Sequence, residues 1–147
     1  MTGEPRSREQ RKRDVLALLS APVADCWVAT GEAFLIPLTL AWFEQRILLA
    51  TDLGSRTARN LAESGRARIA LGATRDVALI DATLEKTIPV AESGPAGVAY
   101  AEQSDWDPRT AGDDYAFLVL RPQRIQAWRE LNEIPGRTLM RDGVWLV

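Results

Sequence analysis

The segment from Ile47 to Leu61, ILLATDLGSRTARNL, concentrates the residue types that bind anions. An apolar run ends at Thr51-Asp52, a glycine follows, and Ser55-Arg56-Thr57 opens a helix. A helix start presents unpaired backbone N–H groups and the positive end of the helix dipole, which suits a phosphate. Ser55 and Thr57 add hydroxyl donors, and Arg56 and Arg59 add charge. The same pattern also describes a plain Ser-capped helix with solvated arginines, and both readings stand on the residues alone.

Other chemistry is thinner. The chain has no histidine, which excludes a Ser-His-Asp triad, a His-ligated metal and a histidine general base. Its one cysteine, Cys26, excludes an internal disulfide and lies in an apolar run, where an inert buried thiol is expected. No metal site is expected. Asp81 and Glu85 share a strand face but stand about 13 Å apart, a spacing that fits a solvated face better than a catalytic pair. No residue is identifiable as a catalytic acid or base. Of the five tryptophans, Trp106 and Trp128 are the ring-stacking candidates.

Charge is unevenly spread. The net charge is −2, yet residues 46–75 carry six arginines against Asp52 and Glu63, and residues 92–114 carry six acidic groups against Arg109. Arginine outnumbers lysine 16 to 2, which nucleotide bias alone explains, although guanidiniums also bind phosphate and carboxylate by paired hydrogen bonds. The overall acidity argues against a nucleic-acid binder. The acidic stretch 102–114 reads as a solvated loop or a lid. No apolar run approaches the ~20 residues that span a bilayer, and no signal-peptide pattern precedes residue 14. The expected location is the cytoplasm.

At 147 residues the chain fits one domain, 1–147, with residues 1–7 frayed. The elements that must position the anion site are mostly strands. A helix is expected over Glu9–Leu19. Strands are expected over Cys26–Thr30 and Phe34–Phe43, joined by a two-residue Gly31-Glu32 connection. Phe34–Phe43 is apolar on both faces, so both need cover, and Pro37 marks a bulge or a break in pairing. Arg46–Thr51 follows, then a helix from a Ser55 cap to about Glu63, ended by Gly65. Arg66–Leu71 and Val77–Thr87 alternate with period two. A short helix over Gly97–Gln103 precedes strands at Tyr115–Leu120 and Arg124–Trp128. Asp142-Gly143 joins a last hairpin. Seven or eight strands with short connections predict a mainly antiparallel sheet closed as a small barrel, with short flanking helices.

The order FLIPLTLAWF, ILLAT, GSRTARNL, RARIAL, then DWDPR and YAFLVLRPQRIQAWR, resembles the pyridoxamine 5′-phosphate oxidase-like split barrels that bind FMN. The likeness covers roughly residues 15–130. It implies an antiparallel split β-barrel and a homodimer that holds FMN, or alternatively the deazaflavin coenzyme F-420, at its interface. It assigns the phosphate end to Thr51, Ser55, Arg56, Thr57 and Asn60, and the ring to Pro37, Leu38 and Thr39. Trp128 and Arg129 approach the site from the partner or close the barrel. Many relatives carry lysine where Thr57 stands, so here Arg56 or Arg59 must supply that charge. The implied activity is hydride transfer between bound cofactor and a small molecule. The alternatives are a cofactor- or tetrapyrrole-sequestering protein without turnover and a degenerate dimeric interaction domain.

Overall fold

The computed structural model describes residues 3–147. Helix α1 (Arg8–Ser20) leads into strands β1 (Ala24–Thr30), β2 (Phe34–Phe43) and β3 (Arg46–Asp52). Helix α2 (Arg56–Ser64) and strands β4 (Arg66–Ala73) and β5 (Asp76–Pro89) follow, then α3 (Gly94–Ser104) and β6 (Tyr115–Trp128). A last hairpin joins β7 (Thr138–Arg141) to β8 (Val144–Trp145).

All pairings are antiparallel. The strand order β3-β2-β1-β4-β5-β6 closes because β6 also pairs with β3, giving a six-stranded barrel with β7 and β8 attached to β6. The expected mainly β split barrel is what the chain forms. Its split is local. β2 pairs with β3 only at Ala41↔Leu48, Trp42↔Ile47 and Phe43↔Arg46. Above that level β3 stays with β6 up to Asp52↔Tyr115, while β2 stays with β1 up to Phe34↔Thr30. The edge of β2 from Phe34 to Leu40 that faces β3 therefore has no strand partner. Pro37 sits in this stretch, and its β1 pairing opposite Trp27 runs on without a bulge.

Helices stop the two barrel mouths. Val15 and Leu19 of α1 and Leu61 of α2 join the interior core of Val28, Leu40, Ile47, Leu49, Ile69, Ile80, Leu118 and Ile125. Fully burying a side chain such as Leu61 contributes about 2 kcal/mol. A second core lies outside the barrel wall, where Ala96 and Tyr100 of α3 cover Ala41, Leu48, Ala50, Phe117 and Val119. α3 also braces the split. The Tyr100 hydroxyl donates to the Thr39 carbonyl at 2.8 Å. The Gln103 amide accepts from the Trp42 N–H at 2.8 Å and donates to the Leu19 and Ala21 carbonyls at 2.7 and 3.0 Å.

Four local expectations change. The β1–β2 connection has three residues, Gly31 to Ala33, because Thr30 pairs with Phe34, and both Gly31 and Ala33 take positive φ (60° and 54°). The two late strands are one, β6, because the ladder with β5 absorbs Arg121-Pro122-Gln123 as a bulge between Asp81↔Arg124 and Ala82↔Pro122. The outer face of β2 is covered only in its lower half, leaving Leu35 57% exposed. The fraying expected for residues 1–7 fails at its C-terminal end, while residues 1–2 lie outside the described residues.

Arg6 explains that last difference. Its N–H and Nε donate to Glu133 Oε2 at 2.8 and 3.0 Å, and its Nη2 donates to Oε1 at 2.7 Å. The Arg129 N–H adds a fourth bond to Oε1 at 2.9 Å. The Glu133 carboxylate is enclosed, so four donors replace its water. Arg6 also pairs with Asp14 at 2.9 Å, and buried Arg11 donates to the carbonyls of Ala127, Glu133 and Pro135.

The bonds from Arg6 hold the Glu133 carboxyl at about 2, below its ordinary 4.5. A depressed folded-state pKa stabilises above the unfolded value and is lost as pH falls through the folded one. Urea unfolding should thus show stability falling between pH 4.5 and pH 2, by roughly 3 kcal/mol from this group. Glu133→Gln should lower stability at pH 7 and flatten that part of the profile; an unchanged profile would contradict the assignment.

Candidate functional site

The turn into α2 is built as the sequence requires. The Asp52 carboxylate accepts from the Gly54 N–H at 2.7 Å, and the Ser55 N–H donates to the Asp52 carbonyl at 3.0 Å. Ser55 caps the helix, its Oγ accepting from the Ala58 N–H at 3.1 Å, and Gly65 ends it at φ 71°. The Thr51 hydroxyl donates to Ser55 Oγ at 2.9 Å. Two donors on one oxygen leave the Ser55 hydrogen free to point outward. The N–H groups of Arg56 and Thr57 have no acceptor among the described residues. Exposed Arg56 makes no ion pair among the described residues, and its guanidinium lies 5.2 Å from the Phe34 ring centre. Arg59 is exposed beside it. Thr51, Ser55 and Arg56 are therefore assembled at one helix start.

Two neighbours of that group do other work. Thr57 is 1% exposed, on the buried stripe of α2 with Ala58 and Leu61, and its Oγ1 has no hydrogen-bond partner. Its hydroxyl faces protein, so only its backbone N–H is offered to a ligand. Asn60 fastens α2 to the β1–β2 hairpin, its Nδ2 donating to Thr30 Oγ1 at 3.2 Å and to the Thr30 carbonyl at 3.4 Å. Gly31 must be glycine here, because a Cβ would stand 2.8 Å from that Nδ2 and its φ is +60°.

Pro37, Leu38 and Thr39 come together around a cavity of about 490 Å³ whose wall includes Asp25, Trp27 and Ala70. The Thr39 hydroxyl donates to Asp25 Oδ1 at 3.0 Å. Along β2, Pro37 is three residues from Phe34, or about 10 Å from the Arg56 contact. Alternation puts Phe34 and Pro37 on opposite faces of β2, with the unpartnered β2 edge between them.

Trp128 and Arg129 are not brought to this place in one protomer. Trp128 pairs with Val77, six residues along β5 from Thr83 at the α2 end, roughly 20 Å away. Trp128 packs under Arg137, and Arg129 donates to Asp76 at 3.0 Å. Trp106 packs edge-on against Tyr100 and Tyr115 beneath the acidic loop. Trp27 escaped sequence reasoning, being one apolar residue in an apolar strand, yet it is 52% exposed on the outer sheet face. Cys26 is buried, and burial pushes its thiol up to about 12, so it stays protonated.

No protein-family model matches the chain, and no curated protein matches it. Solved structures do. A protein described as an F-420 reductase superposes at TM-score 0.62 with 15% identity, over 74% of this chain and 93% of that one. A pyridoxamine 5′-phosphate oxidase-related, FMN binding protein from Nostoc punctiforme gives 0.53 at 17% identity, over 82% and 78%. A heme binding protein from Mycobacterium smegmatis gives 0.61 at 18% identity, over 97% of this chain and 60% of that one. The chain thus has the split-barrel fold of pyridoxamine 5′-phosphate oxidase-like proteins. Among the described residues no helix is long and apolar enough to cross a membrane.

The Thr57 placement is directly testable. Removing an unsatisfied buried hydroxyl at constant shape should stabilise, so Thr57→Val should raise the unfolding free energy by about 1 kcal/mol and leave FMN affinity unchanged. A weaker FMN affinity with no gain in stability would show that the hydroxyl faces the ligand.

Proposed function

We propose that the protein binds a flavin-type cofactor by its phosphate at the start of α2 and acts as an oxidoreductase on a small molecule. The observation that carries this reading is the set of unused donors there: the Arg56 and Thr57 N–H groups, the Ser55 hydroxyl and the unpaired Arg56 guanidinium. They match a phosphate in number, charge and direction. The open β2 edge beside Phe34–Leu40 offers unpaired backbone groups to the polar rim of a flat ring, and Pro37 and Trp27 offer apolar surface. When bound, such a cofactor supplies hydride transfer. The chain's own part is to seat the phosphate, orient the ring and exclude water. Burial raises the pKa of both Cys26 and Tyr100, so neither is a base near neutral pH.

FMN is the first choice. Coenzyme F-420 is the alternative, because its longer anion would reach Arg59 and Arg66. Arg68 is held by Asp81 at 2.6 Å. A homodimer completes the proposal. Trp27, Leu35 and Pro37 expose apolar surface on adjoining strands, and a second copy is the cover that such a face needs. A cytoplasmic setting fits the single free thiol.

Titration of FMN, riboflavin and F-420 into the protein tests the cofactor reading. FMN should bind more tightly than riboflavin, which lacks the phosphate. Arg56→Ala should weaken FMN binding about 10- to 100-fold and leave riboflavin unchanged, whereas Arg13→Ala, on the far helix, should change neither. Equal affinity for FMN and riboflavin would place the phosphate elsewhere. Turnover with reduced cofactor would separate an enzyme from a carrier. Sedimentation at micromolar concentration should give a dimer that Trp27→Asp dissociates; a monomeric parent would remove the dimer from the proposal.

A further inference from the structure

A cavity of about 620 Å³ lies away from the start of α2, on the outer face of β1, β4 and β5. Ser64, at the last residue of α2, is part of its wall, so the cavity opens about 12 Å along the helix from Arg56. Arg66, Arg68, Asp81, Thr83 and Gln123 supply its polar lining. Register fixes what stands beside them. Arg66 and Arg121 flank Thr83 from the two neighbouring strands, and Arg68 and Arg124 flank Asp81 in the same way. Directly opposite residues share a face, so four arginines stand on three strands here, Arg66 and Arg68 in the cavity wall and Arg121 and Arg124 on β6 beside it.

Most of the chain's ion-paired arginines lie away from this cavity. Arg6, Arg46, Arg75, Arg109 and Arg129 all reach carboxylates. Around the cavity only Arg68 does, held by Asp81 through Nε at 2.6 Å and Nη2 at 3.3 Å. Arg66, Arg121 and Arg124 make no ion pair among the described residues. Arg121 lies against the Gly143 turn, next to Gln123. Glu32, Glu63 and Asp142 are chain neighbours of this region, exposed and outside the lining. Glu85, two residues along β5 from Thr83, is held by Arg46 and also lies in the field of Arg121. The neutral groups are donors as well. The Thr83 hydroxyl oxygen accepts from Gln123 Nε2 at 3.1 Å, which leaves its hydrogen for a ligand.

We infer that this cavity is a second anion site, which takes a small extended polyanion with carboxylate or phosphate groups about 10 Å apart, the span of two strand spacings between Arg66 and Arg121. Arg68, fixed by Asp81, forms the floor. Arg66 and Arg121 close on the two ends by charge-assisted hydrogen bonds. The site is separate from the start of α2 and holds whether or not a flavin binds there.

Calorimetric titration with tripolyphosphate and with tri-glutamate, at low and high salt, tests this and tells the two ligand sources apart. At least one probe should bind at low salt and weaken as salt rises. Arg66→Gln and Arg121→Gln should each weaken that probe about tenfold, and the pair more than either. Arg13→Gln should leave it unchanged, and Arg121→Gln should leave FMN affinity unchanged, which keeps failure here distinct from failure of the flavin reading. All three sites are exposed, and unchanged melting temperatures will confirm intact variants. No binding of either probe, equal losses in Arg13→Gln, or tighter binding of duplex DNA than of both probes would overturn the inference.

Discussion

The parting of β2 from β3 above the Ala41–Leu48 pair is the constraint on which the rest depends. A six-stranded barrel that closed fully would bury the β2 edge in a ladder and leave no place for α2. Because the ladder stops, the chain must meet the exposed backbone by other means. Tyr100 from α3 takes up the lowest exposed group, the Thr39 carbonyl, while Gln103 ties Trp42 to the end of α1. Leu61 and the Asn60–Thr30 bond hold α2 across the upper mouth. What remains between these two fastenings is an unpaired strand edge beside an unpaired helix start.

That arrangement gives the site its donors without strain. The carboxylate of Asp52 and the hydroxyl of Thr51 are both spent inside the turn, on Gly54 and Ser55. They set the direction of groups that they do not themselves present. Thr57 and Asn60, which the family pattern places with the ligand, are turned to packing and to the hairpin. Under the proposed reading the charge for a phosphate would come from Arg56, which no carboxylate pairs with among the described residues.

Much of this was legible in the residues. Ser55, Gly65 and the alternation of β4 and β5 are local signals, and local geometry obeyed them. Phe34–Phe43 and Asp142-Gly143 were equally plain. Apart from the length of the β1–β2 connection, the misses were long-range. Pro122 reads as a strand break, and only the neighbouring β5 shows that a bulge absorbs it. Arg6 reads as part of a polar tail, yet its partner Glu133 is 127 residues away. Thr57 and Arg56 are adjacent and both polar, and only the buried stripe of α2 separates their roles. Trp27 and Arg66 needed the register of three strands before their common outer face could be seen.

If a cofactor phosphate sits on the start of α2, the two unpaired amides there must feel it first. Backbone amide resonances of Arg56 and Thr57, followed by 15N-resolved NMR during titration, report this directly. FMN should move both downfield, as expected for new hydrogen bonds to an anion, and riboflavin should leave them in place. FMN binding with these two amides unmoved would contradict the site.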